Sequence, residues 1–105
     1  MVFWFMDNAP FYVWEEDNIL HGFSAADPRE GSIWALFVDP ASEGRGIGKA
    51  LLDQCCDALH RLGHRELKLD TGPGTCADSF YRTQGWAPTG GTTQKGNVIL
   101  AKTVG

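Results

Sequence analysis

The sequence predicts an α/β chain of the α+β kind, one domain built on a mixed sheet. Three observations predict it. Up to Val38 the chain carries aromatic and β-branched runs separated by short polar turns, which is hairpin patterning. Residues 47–62 then keep apolar side chains at steps of three and four, the period of a helix. Strand-like and helix-like segments alternate after that, so parallel pairing joins a hairpin sheet. A chain of 105 residues fits a single domain, residues 1–105, that buries a real core with little surplus stability.

Each element has its own signal. Phe11-Tyr12-Val13-Trp14 reads as a strand, Glu15-Glu16-Asp17-Asn18 as a polar turn, and residues 19–25 as the returning strand. Asp27-Pro28-Arg29-Glu30-Gly31 is a second turn. Residues 32–38 form a nearly continuous apolar run, expected of a buried central strand that ends at Asp39-Pro40. Ile47, Leu51, Cys55, Ala58 and Leu62 mark the apolar stripe of the long helix, and Gly63 supplies a left-handed stop. Residues 66–70 alternate as a strand. Thr75 is placed to cap a short helix, with Asp78 three residues on. That helix carries Ala77, Phe80 and Tyr81 and stops at Gly85. Trp86 begins an extended piece, residues 89–96 read as a Gly/Thr loop, and residues 97–104 as the last strand.

Composition excludes several classes. Hydrophobic residues make up 43% and charged residues 21%, ordinary values for a globular protein. Four Trp and six Phe imply a dense aromatic core, a sticky surface, or both. The net charge of −4 argues against nucleic acid, which needs clustered Lys and Arg, and favours a cationic acceptor. Cys55, Cys56 and Cys76 match no zinc or CxxC spacing, so no metal is expected and the thiols read as reduced, in a cytoplasmic protein. Adjacent Cys55 and Cys56 are not expected to face one core. The apolar start, Met1 to Met6, lacks a basic leader and a cleavage site, and no run approaches membrane-spanning length.

The segment Glu43-Gly44-Arg45-Gly46-Ile47-Gly48 carries the chemistry. A strand ends, glycines follow and a helix opens. The leading helical N–H groups have no intrahelical partner, and the macrodipole puts positive potential there, which suits an anion. Glycines let the backbone approach without a Cβ in the way. The plain alternative is a turn that only connects two elements. A P-loop needs Gly and Ser or Thr where Glu43 and Ala50 stand, and a dinucleotide fingerprint needs a small residue where Lys49 or Leu51 stands, so both fail.

Val38-Asp39-Pro40-Ala41-Ser42-Glu43-Gly44-Arg45-Gly46-Ile47-Gly48-Lys49-Ala50-Leu51-Leu52 resembles the acetyl-CoA signature of the Gcn5-related N-acetyltransferase (GNAT) superfamily. A second block, Ala77-Asp78-Ser79-Phe80-Tyr81-Arg82-Thr83-Gln84-Gly85-Trp86, resembles that family's Ala-x-x-Phe-Tyr-x-x-x-Gly-Phe/Trp segment. The resemblance implies a mostly antiparallel mixed sheet with a splayed central strand pair and flanking helices. It departs in three ways. Glu43 stands where the family has Arg or Gln, and Gly74 where many members carry Asn. The family's usual N-terminal strand and two helices, which roof the acceptor site, are expected to be absent, replaced by residues 1–10 or supplied by a second subunit.

The resemblance also implies a chemistry. Acetyl-CoA would be the co-substrate and a primary amine, on a small molecule or a peptide, the acceptor. The pantetheine arm would lie in the splayed gap against Leu36, Phe37 and Val38, with a backbone N–H near Phe37 or Val38 polarising the thioester carbonyl. The pyrophosphate would sit on the amides of Arg45, Gly46, Ile47, Gly48 and Lys49, with Glu43, Gly44, Gly74, Ala77 and Phe80 completing the cofactor site. Tyr81 would protonate the leaving thiolate as general acid; the alternative is a core tyrosine. No general base stands out: Glu15, Glu16, His21, Asp27 and Glu30 read as solvated surface groups, and His60 and His64 sit at the helix end. Trp4, Phe5, Phe11, Trp14 and Trp34 read as core or dimer contacts rather than an acceptor pocket, and a homodimer is expected. The competing readings are a non-catalytic acyl-CoA-binding module and a structural dimer subunit that keeps the fold.

Overall fold

A computed structural model describes residues 2–6 and 9–104, with side chains from Pro10 to Val104. In chain order the elements are β1 (Val2–Met6), β2 (Ala9–Glu16), β3 (Ile19–Asp27), β4 (Ser32–Val38), a 3₁₀ turn (Pro40–Ser42), α1 (Ile47–Arg61), β5 (Glu66–Thr71), α2 (Cys76–Thr83), β6 (Ala87–Thr92) and β7 (Val98–Thr103). The strands form one sheet in the order β1-β2-β3-β4-β5-β7-β6. Every neighbouring pair is antiparallel except β4 and β5. The mixed, mostly antiparallel sheet is the one the sequence led us to expect. Among the described residues no helix is long and apolar enough to cross a membrane.

The β2–β3 connection is tighter than its polar run suggested. Both strands extend to a two-residue turn, Asp17-Asn18, with φ of 52° and 62°. Asp and Asn tolerate that left-handed pair, and its twist matches the flanking strands. Between β3 and β4 the register runs Ala25↔Ala35 and then Ala26↔Ile33. Trp34 is thus the extra residue of a bulge and projects into solvent, 76% exposed.

α1 lies across one face of β2, β3 and β4. Its buried residues are Ile47, Leu51, Leu52, Cys55, Cys56, Ala58 and Leu59. Two expectations need correction here. Leu62 is not on the buried stripe; it is the C-cap and is exposed. Cys55 and Cys56 do both face the core, because α1 covers a broad sheet and the doublets Leu51-Leu52, Cys55-Cys56 and Ala58-Leu59 widen its apolar arc beyond one narrow seam. The helix ends as predicted at Gly63, with φ of 100°, where Gly63 N–H donates to the His60 carbonyl and His64 N–H to the Leu59 carbonyl.

Two further differences lie at the sheet edges. Residues 1–10, read from sequence without an element, contribute the edge strand β1, paired with β2 from Val2↔Val13 to Met6↔Ala9. The side chains of Trp4 and Phe5 lie outside the described residues. The Gly/Thr segment after Trp86 is largely strand β6, every position of which is exposed.

Tyr12, Ser24 and Leu36 are cross-strand neighbours facing α1, where Ser24 Oγ donates to the Leu51 carbonyl (3.1 Å) and Cys55 Sγ donates to Ser24 Oγ (3.2 Å). One residue out of phase, Phe11, Phe23 and Phe37 form a row on the opposite face, Phe11 stacked on Phe23 (centroids 5.8 Å apart) and Phe37 tilted against it (5.6 Å).

Candidate active site

The site begins where the sheet opens. β4 and β5 pair at a single register position, Ser32↔Lys68, and then diverge. Above that bridge β4 keeps its bonds on the β3 side only. Asp39 N–H donates to the His21 carbonyl (2.8 Å), and N–H groups alternate along a strand. The N–H of Phe37 therefore also faces β3, while those of Leu36 and Val38 face the gap. This sharpens one expectation: the strand amides available to a ligand are those of Leu36 and Val38, and Phe37 offers neither its N–H nor its ring, which is tilted against Phe23.

At the top of the gap the glycine segment turns into α1. Gly44 and Gly46 hold φ of 83° and 79°, and a Cβ on either would meet nothing within 4 Å. Their glycine identity answers to backbone conformation, since L side chains rarely adopt it. Gly46 is the N-cap of α1 and has no side-chain cap. The first helical bond runs from Ala50 N–H to the Gly46 carbonyl (3.0 Å), so the amides of Ile47, Gly48 and Lys49 stand ahead of the ladder. Gly48 answers to close approach: a Cβ there would lie 3.3 Å from Val38 Cγ2 and 3.6 Å from Phe80 Cζ.

These parts enclose a cleft of about 590 Å³ bounded by β4, the glycine loop, the start of α1 and one side of α2. Of the residues singled out from sequence, Leu36, Val38, Glu43, Gly44, Gly46, Ile47, Gly48, Lys49, Ala77, Phe80 and Tyr81 line it. Phe37, Arg45 and Gly74 do not. Arg45 turns its guanidinium onto Glu16, with Nη2 at 2.8 and 3.0 Å from the two carboxylate oxygens. Gly74 gives its N–H to Asp78 Oδ2 (3.0 Å), inside the network that starts α2. In that network Thr75 Oγ1 accepts from Asp78 N–H (3.1 Å), as a capping residue should, and Arg82 Nε donates to Asp78 Oδ1 (2.7 Å). Both bonds to its carboxylate, Arg82 first and Gly74 second, hold Asp78 below the usual range.

Ser42, Cys76 and Gln84 also line the cleft and escaped sequence reading. Ser42 is buried, with its Oγ 2.6 Å from His21 Nδ1, twenty-one positions away in sequence. Nothing in the local sequence signals that pairing. Cys76 and Gln84 sit in or beside the second sequence block, and helical spacing alone puts them near Ala77 and Phe80.

Tyr81 is buried, 8% exposed, yet part of its surface faces the cleft. Its ring packs against Phe80 (5.6 Å) and Trp86 (6.2 Å). Burial first, and Cys55 second, push its phenol above the ordinary value of 10.0. It therefore keeps its proton at neutral pH. Glu15, Glu16, His21, Asp27 and Glu30 are all absent from the lining; the titratable groups present are Glu43, Lys49, Cys76 and Tyr81. Glu16 is no bare surface group: Trp14 Nε1 donates to its Oε1 (2.7 Å), and with Arg45 this pulls the carboxyl below its usual range.

Residues 7–88 match the family described as an acetyltransferase (GNAT) domain. The chain is 36% identical over 63 residues to a mycothiol acetyltransferase of Beutenbergia cavernae, covering 59% of this chain and 21% of that protein. It is 39% identical over 83 residues to the peptidyl-lysine N-acetyltransferase YiaC of Escherichia coli, covering 78% of this chain and 53% of that one. The chain thus spans between about a fifth and about half of these relatives' lengths. Among solved structures, yncA from Salmonella typhimurium, a putative acetyltransferase determined with acetyl-CoA, superposes with a TM-score of 0.74 at 19% identity, over 92% of this chain and 65% of that one.

Proposed function

This chain belongs to the acetyltransferase (GNAT) domain family, and from that premise we propose that residues 1–105 act as one domain transferring an acetyl group from acetyl-CoA to a primary amine. The observation that carries the reading is the open β4–β5 gap, whose free edge runs into the glycine loop and the leading amides of α1. The pantetheine arm adds to β4 as a short strand, pairing with Leu36 and Val38. The diphosphate rests on the amides of Ile47, Gly48 and Lys49, with Gly44 and Gly46 giving it room. Phe80 and Ala77 pack against the arm from α2.

The acceptor amine attacks the thioester carbon, and the oxygen that gains charge is held by a β4 amide on the gap side, that of Val38 or Leu36. Collapse breaks the carbon–sulfur bond. The thiolate takes its proton from Tyr81 Oη, the attacking nitrogen gives up its surplus proton to water, and the Tyr81 phenolate regains a proton from water in the cleft once the products leave. The amine must be neutral to attack, so turnover rises with pH towards the acceptor's own pKa. Burial holds the Tyr81 phenol above the ordinary tyrosine range, so the acid stays protonated throughout that rise.

The test is thiol release from acetyl-CoA over a panel of amines, with Tyr81→Phe as the decisive variant. Turnover should drop about 10²-fold, the lower end of what a general acid supplies. An unchanged rate at every pH removes Tyr81 from the chemistry. A second reading, a non-catalytic acyl-CoA-binding module, is favoured by one observation: Glu43, an acidic residue, lines the cleft beside the glycine loop on which a diphosphate would rest. Calorimetric binding of acetyl-CoA without thiol release from any amine would select it.

We also propose a homodimer in the cytoplasm. Exposed aromatic surface supports the first: Phe37 is 43% exposed in a row with Phe23 and Phe11, and Trp34 on the same strand is 76% exposed. Three unbridged cysteines support the second. A monomer in sedimentation at high micromolar concentration would refute the dimer.

A further inference from the structure

We propose that Glu16 sets the affinity of the cleft for its anionic ligand by competing with the ligand's phosphate for Arg45. The inference rests on the acyl-CoA reading above. Arg45 stands inside the glycine loop between Gly44 and Gly46, yet its guanidinium is turned out of the cleft onto the end of β2. Both Glu16 carboxylate oxygens accept from Nη2, at 2.8 and 3.0 Å. Glu16 is not a loose surface partner. Its Oε1 also accepts from the Trp14 indole (2.7 Å), and Trp14 packs against the core, so the carboxylate is held in place to receive Arg45.

The other loop cation is treated the same way. Lys49 Nζ donates to Asp53 Oδ2 (2.7 Å), one helical turn on. Glu43 also lines the cleft, so in this part of the molecule two cations stand against three acidic residues, Glu16, Glu43 and Asp53, and each cation is already paired. A diphosphate entering the loop meets good backbone donors and no uncommitted cation among these residues. Arg45 is the group that can change partner. The ion pair is about half exposed, and Arg45 is flanked by two glycines that put no side chain beside it, so solvent reaches the guanidinium and it can exchange one acceptor for another. An exposed ion pair is weak, and a diphosphate, with one charge on each phosphate and several acceptor oxygens, competes well with a single carboxylate. The exchange therefore proceeds, but part of the binding energy is spent separating Arg45 from Glu16. Trp14 and Glu16 belong to β2, so the affinity of a loop at α1 is set by a strand twenty-nine positions away.

Calorimetric titration with CoA at low salt, on the full chain and on Glu16→Gln, Arg45→Gln and the double variant, tests this. Glutamine keeps an oxygen for the Trp14 indole while removing the charge, so the β2 anchor survives. Glu16→Gln should bind CoA about fivefold more tightly, the scale of one exposed ion pair. Arg45→Gln should bind more weakly, and adding Glu16→Gln to it should change nothing. A merely structural role for Glu16 would lower affinity rather than raise it. Unchanged or weaker binding by Glu16→Gln, or a gain that persists without Arg45, overturns the inference and leaves the acyl-CoA reading intact. No binding by any of the four proteins at millimolar CoA overturns both.

Discussion

Cys55 shows how strongly one buried side chain ties stability to pH. It is fully buried, and burial, only partly offset by its bond to Ser24, pushes its thiol from 9.0 up to about 12. The folded chain holds this proton where the unfolded chain releases it. The contribution is complete below pH 9 and is lost as pH rises towards 12, at about 1.4 kcal/mol per pH unit while only the unfolded form is ionised. Urea melts between pH 8 and 11 should show stability falling with pH. Cys55→Ala, though less stable at pH 7, should show a shallower fall, and parallel slopes would contradict the assignment. The third cysteine behaves differently. Cys76 is exposed and lines the cleft. A disulfide reagent should titrate one fast thiol per native chain, and saturating CoA should slow it. A second fast thiol would mean that α1 does not cover Cys55 and Cys56 as described.

At the scale of elements, the seating of α1 on β3 depends on Gly22. A Cβ there would lie 2.6 Å from the Phe37 carbonyl oxygen and 3.1 Å from Leu51 Cδ1. The first contact is backbone and cannot swing aside. Gly22→Ala should destabilise by about 2 kcal/mol, as overpacking does, whereas Gly44→Ala, which meets no atoms and pays only for its left-handed φ, should lose about 1 kcal/mol. Denaturant midpoints in the reverse order would refute this seating. The same elements show what sequence makes legible. α1 was readable because one face is buried and the other solvated, so its period survives in the side chains. β5 was readable for the same reason, its burial alternating residue by residue. β1 was not, because Val2–Met6 is apolar throughout and shows no alternation, and β6 was not, because Ala-Pro-Thr-Gly-Gly-Thr is strand only through its pairing with β7. In the site, the glycine loop and Tyr81 announced themselves in local motifs. Glu16 on Arg45 and His21 on Ser42 join distant segments and leave no local trace.

At the scale of the molecule, the sheet is two half-sheets, β1-β2-β3-β4 and β5-β7-β6, joined by one parallel bridge and by a shared buried core. A ligand arm laid along β4 would supply the backbone partners that β5 withdraws. Two consequences separate this from mere adhesion at the loop. Global stability should rise by about 2.7 kcal/mol at a ligand concentration a hundred times Kd, which for a chain of this size moves the melting point by on the order of 10–20 °C. Protection should also be selective. With CoA bound, hydrogen exchange should slow at the amides of Leu36 and Val38, which face the gap, and hardly change at Phe37, whose amide is already committed to β3. Dephosphorylated pantetheine at saturation should protect the same two amides without touching those of Ile47, Gly48 and Lys49, because it has the arm and lacks the diphosphate. If CoA slows exchange at Phe37 as much as at its neighbours, the effect is general tightening of the fold and β4 is not the strand on which the arm lies.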